Sequence, residues 1–125
     1  MGQKTYSDVR SDGLMDGWDV ERLWKLADQM QVKRIKLDQI TDFDLVTWFN
    51  DRYPPTCRAV AEHAKRIQDV AFDHPVILSA EGHVMDGMHR VAKAWVMGMK
   101  EIEVVQFDQD PEPDERISLE ALAGC

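Results

Sequence analysis

The stretch Val84-Met85-Asp86-Gly87-Met88-His89-Arg90-Val91-Ala92-Lys93-Ala94 constrains this chain more than any other. An apolar run stops at Asp86-Gly87, and apolar residues then recur at helical spacing, so a strand must turn into a helix within a residue or two. Gly87 permits a left-handed backbone at that turn, and the first helical N–H groups have no intrahelical partner. Such an end attracts anions. His89 and Arg90 fall in the first turn, where the helix dipole disfavours cations unless something negative lies beside them. Two resolutions are open. A bound phosphate could be held by the Arg90 fork, by His89 as a donor and by the backbone amides. Alternatively, Asp86 caps the helix and pairs with Arg90, leaving nothing for a ligand.

The remaining pattern predicts a small mixed α/β (α+β) domain. Residues 1–18, with Ser11-Asp12-Gly13 and Asp16-Gly17, read as loop. A helix is predicted over 19–30, capped by Asp19, with Leu23, Leu26, Ala27 and Met30 on one stripe. A half-buried strand follows at 33–37, then a packed irregular segment or short helix around Phe43, Trp48 and Phe49. A second helix is expected over 56–71, with Thr56 as cap and Val60, Ala64, Ile67 and Ala71 facing inward. Residues 75–79 and 83–85 form a hairpin around Glu81-Gly82. The helix from His89 turns Val91, Ala94 and Trp95 inward until Gly98, and a strand over 101–107 closes the core. Strands interleaved with helices imply a small mixed sheet with helices packed on it, spanning 19–107.

Charge limits the partners. Fifteen Lys and Arg oppose 23 Asp and Glu, a net charge of −8. That disfavours a nucleic-acid coat or overall attraction to an anionic membrane. The sum describes the ends of the chain, because residues 33–100 carry 10 basic and 9 acidic side chains. Residues 108–125, with Pro111 and Pro113, read as a solvated acidic tail with a weak helix over 116–122. No apolar run approaches the roughly 18 residues of a membrane span. Cys57 and Cys125 make neither a disulfide framework nor a metal spacing, and no secretory leader is recognised, so a cytoplasmic protein is expected. His63, His74, His83 and His89 lack zinc-binding spacing.

Asp86-Gly87-Met88-His89-Arg90, followed by Ala94, Gly98 and the 102–107 strand, resembles the Asp-Gly-x-His-Arg signature of the ParB/sulfiredoxin superfamily. The resemblance extends upstream through Lys33-Arg34-Ile35-Lys36-Leu37-Asp38-Gln39-Ile40 and the 75–79 strand, covering about 32–107. It implies a nucleotide or phosphate site at the turn, used in the superfamily for CTP binding, for ATP-dependent sulfinic acid repair or for phosphoryl transfer. Met88 stands where sulfiredoxins carry their cysteine, so sulfinic acid repair is excluded. Met88 and His89 also replace the Glu and first Arg of the Gly-Glu-Arg-Arg motif that ParB-type CTPases resemble. Fold alone does not choose a chemistry.

The resemblance makes the helix after the first strand the second wall of the site. Thr56 offers a hydroxyl there, and Arg58 repeats the conflict of a cation at a positive helix end, unless it simply pairs with Glu62. His63 is either a satisfied core histidine or a ligand contact. The site expected from sequence therefore joins Thr56, Arg58 and His63 to Gly87, Met88, His89 and Arg90. Asp86 would orient His89 or hold Mg²⁺, and Asp86 and His89 are the candidate catalytic groups. The ligand would be a nucleoside triphosphate, ATP or CTP. The alternatives are a regulatory module whose acidic tail or apolar groove recruits a protein, and a DNA-binding partition-type domain using Lys33, Arg34 and Lys36.

Overall fold

The computed structural model describes residues 4–6 and 12–118. Its centre is a four-stranded mixed sheet built from β3 (Lys33–Lys36), β4 (Val76–Leu78), β5 (Val84–Asp86) and β6 (Glu101–Gln106), in the order β3-β6-β4-β5. β4 and β5 form the expected antiparallel hairpin. β4 and β6 run parallel, with Val76 opposite Val104 and Leu78 opposite Gln106. β3 closes the other side antiparallel to β6, placing Ile35 opposite Ile102. All three residues of β4 are buried, as expected for a strand covered on both faces.

The two faces carry separate apolar clusters. Val76, Leu78, Ile102 and Val104 meet Leu37, Ile40, Val91 and Ala94 on one face. Ile77, Met85 and Val105 meet Trp18, Leu23 and Ala27 on the other. The first layer comes from α3 (Met88–Val96), and the second from α1 (Val20–Ala27). Leu23, Val76, Ile77, Val91, Val104 and Val105 are fully buried, each worth about 1.5–3 kcal/mol relative to exposure. Two short 3-10 turns, Leu37–Gln39 and Thr41–Asp44, lead out of β3. The buried Asp42 carboxylate accepts from Val84 N–H at 2.7 Å and meets His83 Nδ1 at 3.0 Å, fixing the start of β5.

Local signals placed most of these elements. Asp19 caps α1 by accepting from Glu21 N–H, and the helix ends at Ala27 rather than at Met30. α2 (Cys57–Asp69) starts at Thr56, whose hydroxyl oxygen accepts from Ala59 N–H at 3.1 Å. The expected inward stripe on α2 does not materialise. None of its residues is buried and Val60 is exposed, because α2 lies against α3 and not against the sheet. Trp95, expected inward, is 64% exposed.

The ends of the chain differ most from the sequence reading. Residues 1–18 are not all loop: β1 (Lys4–Tyr6) and β2 (Leu14–Asp19) are antiparallel strands. The acidic tail is not wholly solvated either, since β7 (Glu115–Ser118) pairs with β2 and completes a second sheet of order β1-β2-β7. Strand replaces helix over 116–118, and the rest of the expected 116–122 helix lies outside the described residues. The buried Trp18 donates its indole N–H to Pro111 O at 2.9 Å, and Arg22 reaches Glu112 O and the Asp114 carboxylate. Backbone pairing and a docked cation overcome the like-charge repulsion that favoured a free tail. No described helix is long and apolar enough to cross a membrane.

Candidate functional site around the α3 N-terminus

Gly87 is the N-cap of α3, with φ 111° and ψ 16°, and no side chain caps the helix. The positive φ is the reason for glycine here. A Cβ at this position would also lie 3.1 Å from Val76 Cγ2 and 3.2 Å from Val76 Cα, so β4 and the turn are in close contact. The first-turn N–H groups therefore lack a side-chain acceptor at the cap. Asp86 does not supply it. Its Oδ2 accepts from the Trp24 indole N–H at 2.9 Å and from Arg90 Nη1 at 3.3 Å. The expected pairing of Asp86 with Arg90 is present, and the expected cap is not.

Arg90 is only 7% exposed, and its buried Nε has no hydrogen-bond partner. It lines a cavity of about 80 Å³ with Arg34, Phe72, His74, Met99 and Ile102, and with Glu101 and Glu103. Trp24 stacks on His74 at 5.1 Å between ring centroids, and these two rings also line a second cavity of about 140 Å³ between α1 and the start of β4.

His89 faces the other way, toward α2. Its Nε2 lies 2.9 Å from His63 Nδ1, and the Trp48 indole stacks on both imidazoles at 4.5 Å and 10°. Phe49 meets His63 edge-on at 5.3 Å. Burial pushes the His89 pKa down to about 4, with His63 and Arg66 adding to the shift and Asp86 opposing it. Burial and then Arg66 also lower His63, against Glu62. His89 is consequently uncharged near neutral pH, which removes one of the two cation conflicts without any anion. One proton is shared in the His–His bond. If His63 Nδ1 donates, His89 Nε2 accepts and its Nδ1 carries the remaining N–H.

The structure thus gathers Asp86, Gly87, Met88, His89, Arg90 and His63 around one helix start. Met88 contributes packing, against the cluster beneath α3. No hydrogen bond or ion pair among the described residues joins Thr56 or Arg58 to the turn. His63 is the α2 residue level with His89, and Arg58 is five positions earlier, about 7.5 Å along the axis. The Thr56 hydroxyl is committed to its own cap, and Arg58 is exposed. Cys57 is exposed; Cys125 lies outside the described residues. Among the described residues no group of three or more His, Cys, Asp or Glu is arranged to hold a metal. Asp86, the single carboxylate of the turn, is already shared by a guanidinium and an indole, an environment that does not suit Mg²⁺. Trp24 and Trp48 read from the sequence only as core or groove aromatics and Arg66 was not singled out, because nothing local marks a loop or helix residue that reaches a distant turn.

Comparison with known proteins returns no matching family model, no matching curated protein and no matching solved structure.

Proposed function

We propose that the α3 N-terminus binds the phosphate of a small ligand, with a nucleotide such as ATP or CTP as the ligand class. One observation carries this reading: an uncapped helix start beside a buried arginine whose Nε–H is unmet. Burying an unpaired donor on a cation is costly, and an anion at the turn would satisfy it together with the free amides. The resemblance of Asp86-Gly87-Met88-His89-Arg90 to the ParB/sulfiredoxin signature supports the same ligand class.

In this reading Arg90 supplies charge and the backbone supplies direction. Asp86, itself fixed by the Trp24 indole N–H, holds the guanidinium in place. In the tautomer in which His63 Nδ1 donates to His89 Nε2, His89 is left with its Nδ1–H to donate to a phosphoryl oxygen. With a pKa near 4 it is a weak base, so orientation and charge stabilisation suit it better than proton abstraction. Phosphoryl transfer or nucleotide hydrolysis is the chemistry such a site would serve. Calorimetric titration with inorganic phosphate, ATP, ADP, CTP and GTP, with and without Mg²⁺, tests the reading. Millimolar or tighter binding is expected, weakened at least about tenfold by Arg90→Lys, which keeps the charge and loses the fork. No binding to any of these ligands overturns it.

A second reading, a protein-binding module, rests on a different feature than the acidic tail, whose residues 111–118 are engaged with β2 and α1. Trp95 and Val96 are 64% and 68% exposed, with Met97 and Met99 beside them. Large exposed apolar patches mark interaction surfaces. Trp95→Ser abolishing partner capture while Arg90→Lys is neutral would favour that module.

A further inference from the structure

Residues 45–56, which join the second 3-10 turn to α2, are attached to the body of the protein in an unusual way. All are exposed except Trp48 and Phe49, including the apolar Leu45, Val46 and Tyr53. The loop folds on itself, since Asn50 Oδ1 accepts from Arg52 N–H and Tyr53 N–H, and Asn50 N–H donates to Tyr53 O. The rings of Trp48 and Phe49 do not enter either apolar cluster of the sheet. They lie on the histidine pair.

That pair is a flat surface. His63 and His89 are within 10° of parallel and joined by a 2.9 Å contact between ring nitrogens, so two five-membered rings lie side by side. The indole of Trp48, itself a fused bicycle, covers both at 4.5 Å. Both imidazoles have lowered pKa values, so near neutral pH they present uncharged aromatic faces. Aromatic and histidine faces accept bases by stacking with little regard to base identity. His89 belongs to the same first turn of α3 as the amides and Arg90 of the phosphate site, so a base on this surface and a phosphate at the turn are within the reach of one nucleotide.

We propose that the face of the His63–His89 pair covered by Trp48 is the stacking subsite for the base of a nucleotide, and that residues 45–56 are a lid whose indole occupies this subsite until a base replaces it. The inference rests on the phosphate site above and assigns the other half of the ligand. It makes His63, outside the turn, a base contact, and it makes Trp48 a competitor of the ligand rather than part of its binding surface.

The test uses the full chain, with adenosine, cytidine, AMP and inorganic phosphate as probes, in wild type, Trp48→Ala and His63→Ala. Removing the competing indole is expected to tighten adenosine and AMP about tenfold and leave inorganic phosphate unchanged, whereas His63→Ala weakens both nucleoside probes and spares phosphate. Adenosine binding that weakens or stays the same in Trp48→Ala overturns the subsite. Phosphate binding without nucleoside binding also removes the subsite while leaving the turn reading intact, and nucleoside binding without phosphate binding does the reverse. Should Trp48→Ala fail to fold, wild type still decides. Saturating adenosine must red-shift the Trp48 emission, seen as the difference from Trp48→Phe, and binding without that shift overturns the exchange.

Discussion

Gly87→Ala separates two costs that usually occur together. At φ 111° any L-residue is strained, and positive φ costs on the order of 1–2 kcal/mol. The new methyl would also stand 3.1 Å from Val76 Cγ2, 3.1 Å from Arg90 Nη1 and 3.2 Å from Val76 Cα. The arginine end can move, but Val76 Cα belongs to the middle of a sheet buried on both faces, and overpacking there costs about 1–3 kcal/mol. Restricting the unfolded chain returns about 0.4–1 kcal/mol. The net loss is about 3 kcal/mol. Gly98 is the internal control: it has φ 77°, but nothing lies within 4 Å of its missing Cβ. Gly98→Ala should cost about 1 kcal/mol from the backbone alone. Urea unfolding followed by circular dichroism measures both, and the corresponding melting temperatures should fall by roughly 10 °C and 3 °C. If the two variants agree within about 0.5 kcal/mol, the close approach of β4 to the turn is not rigid, and the packing argument for Gly87 fails.

Acid should weaken the fold through His89. Its pKa is about 4 in the folded protein against 6.5 in the unfolded chain, so the unfolded state binds the extra proton between those values. Stability from this group is complete above pH 6.5, falls as pH drops toward 4 and then levels off. Screening of a partly exposed ring reduces the loss to about 1.5 kcal/mol. Urea midpoints across that range should fall more in wild type than in His89→Gln, which keeps only the smaller contribution of His63; equal pH profiles would refute the assignment. Truncation after residue 108 should cost about 3 kcal/mol, because it removes β7, the Pro111 acceptor of Trp18 and the partners of Arg22. An unchanged urea midpoint would show that this docking contributes nothing.

What the sequence revealed follows the range of the interactions. Asp19 and Thr56 were legible as caps because a cap needs only the next three residues, and the hairpin around Glu81-Gly82 and the helix start at Gly87 are equally local. β2 was read as loop because Leu14-Met15-Asp16-Gly17-Trp18-Asp19 carries turn residues, and its strand character comes from β1 and β7. The exposed face of α2 defeated periodicity for the opposite reason. Val60 has the right spacing, but the sheet is already covered. Within the site, Asp86 to Arg90 was found from five consecutive residues. The His63–His89 contact and the Trp48 stack depend on how α2 and its preceding loop return to α3, which spacing alone does not encode. The helix dipole argument marked His89 as a cation in conflict, whereas burial, with His63 and Arg66, is what removes its charge.

The second sheet also orders events in folding. Arg116 reaches Asp16 across 100 residues of sequence, in a ladder where Leu14 lies opposite Ser118. Contacts of that separation carry the largest loop-closure entropy in the molecule and are made profitably only after the intervening chain has become compact. The hairpin of β4 and β5, by contrast, closes within a few residues. The mixed sheet with α3 and the Gly87 turn can therefore assemble first, while the clasp between β2 and β7 forms last and opens first. Hydrogen exchange should follow that order, with Met15 and Ile117 amides exchanging well before those of Ile77 and Val104.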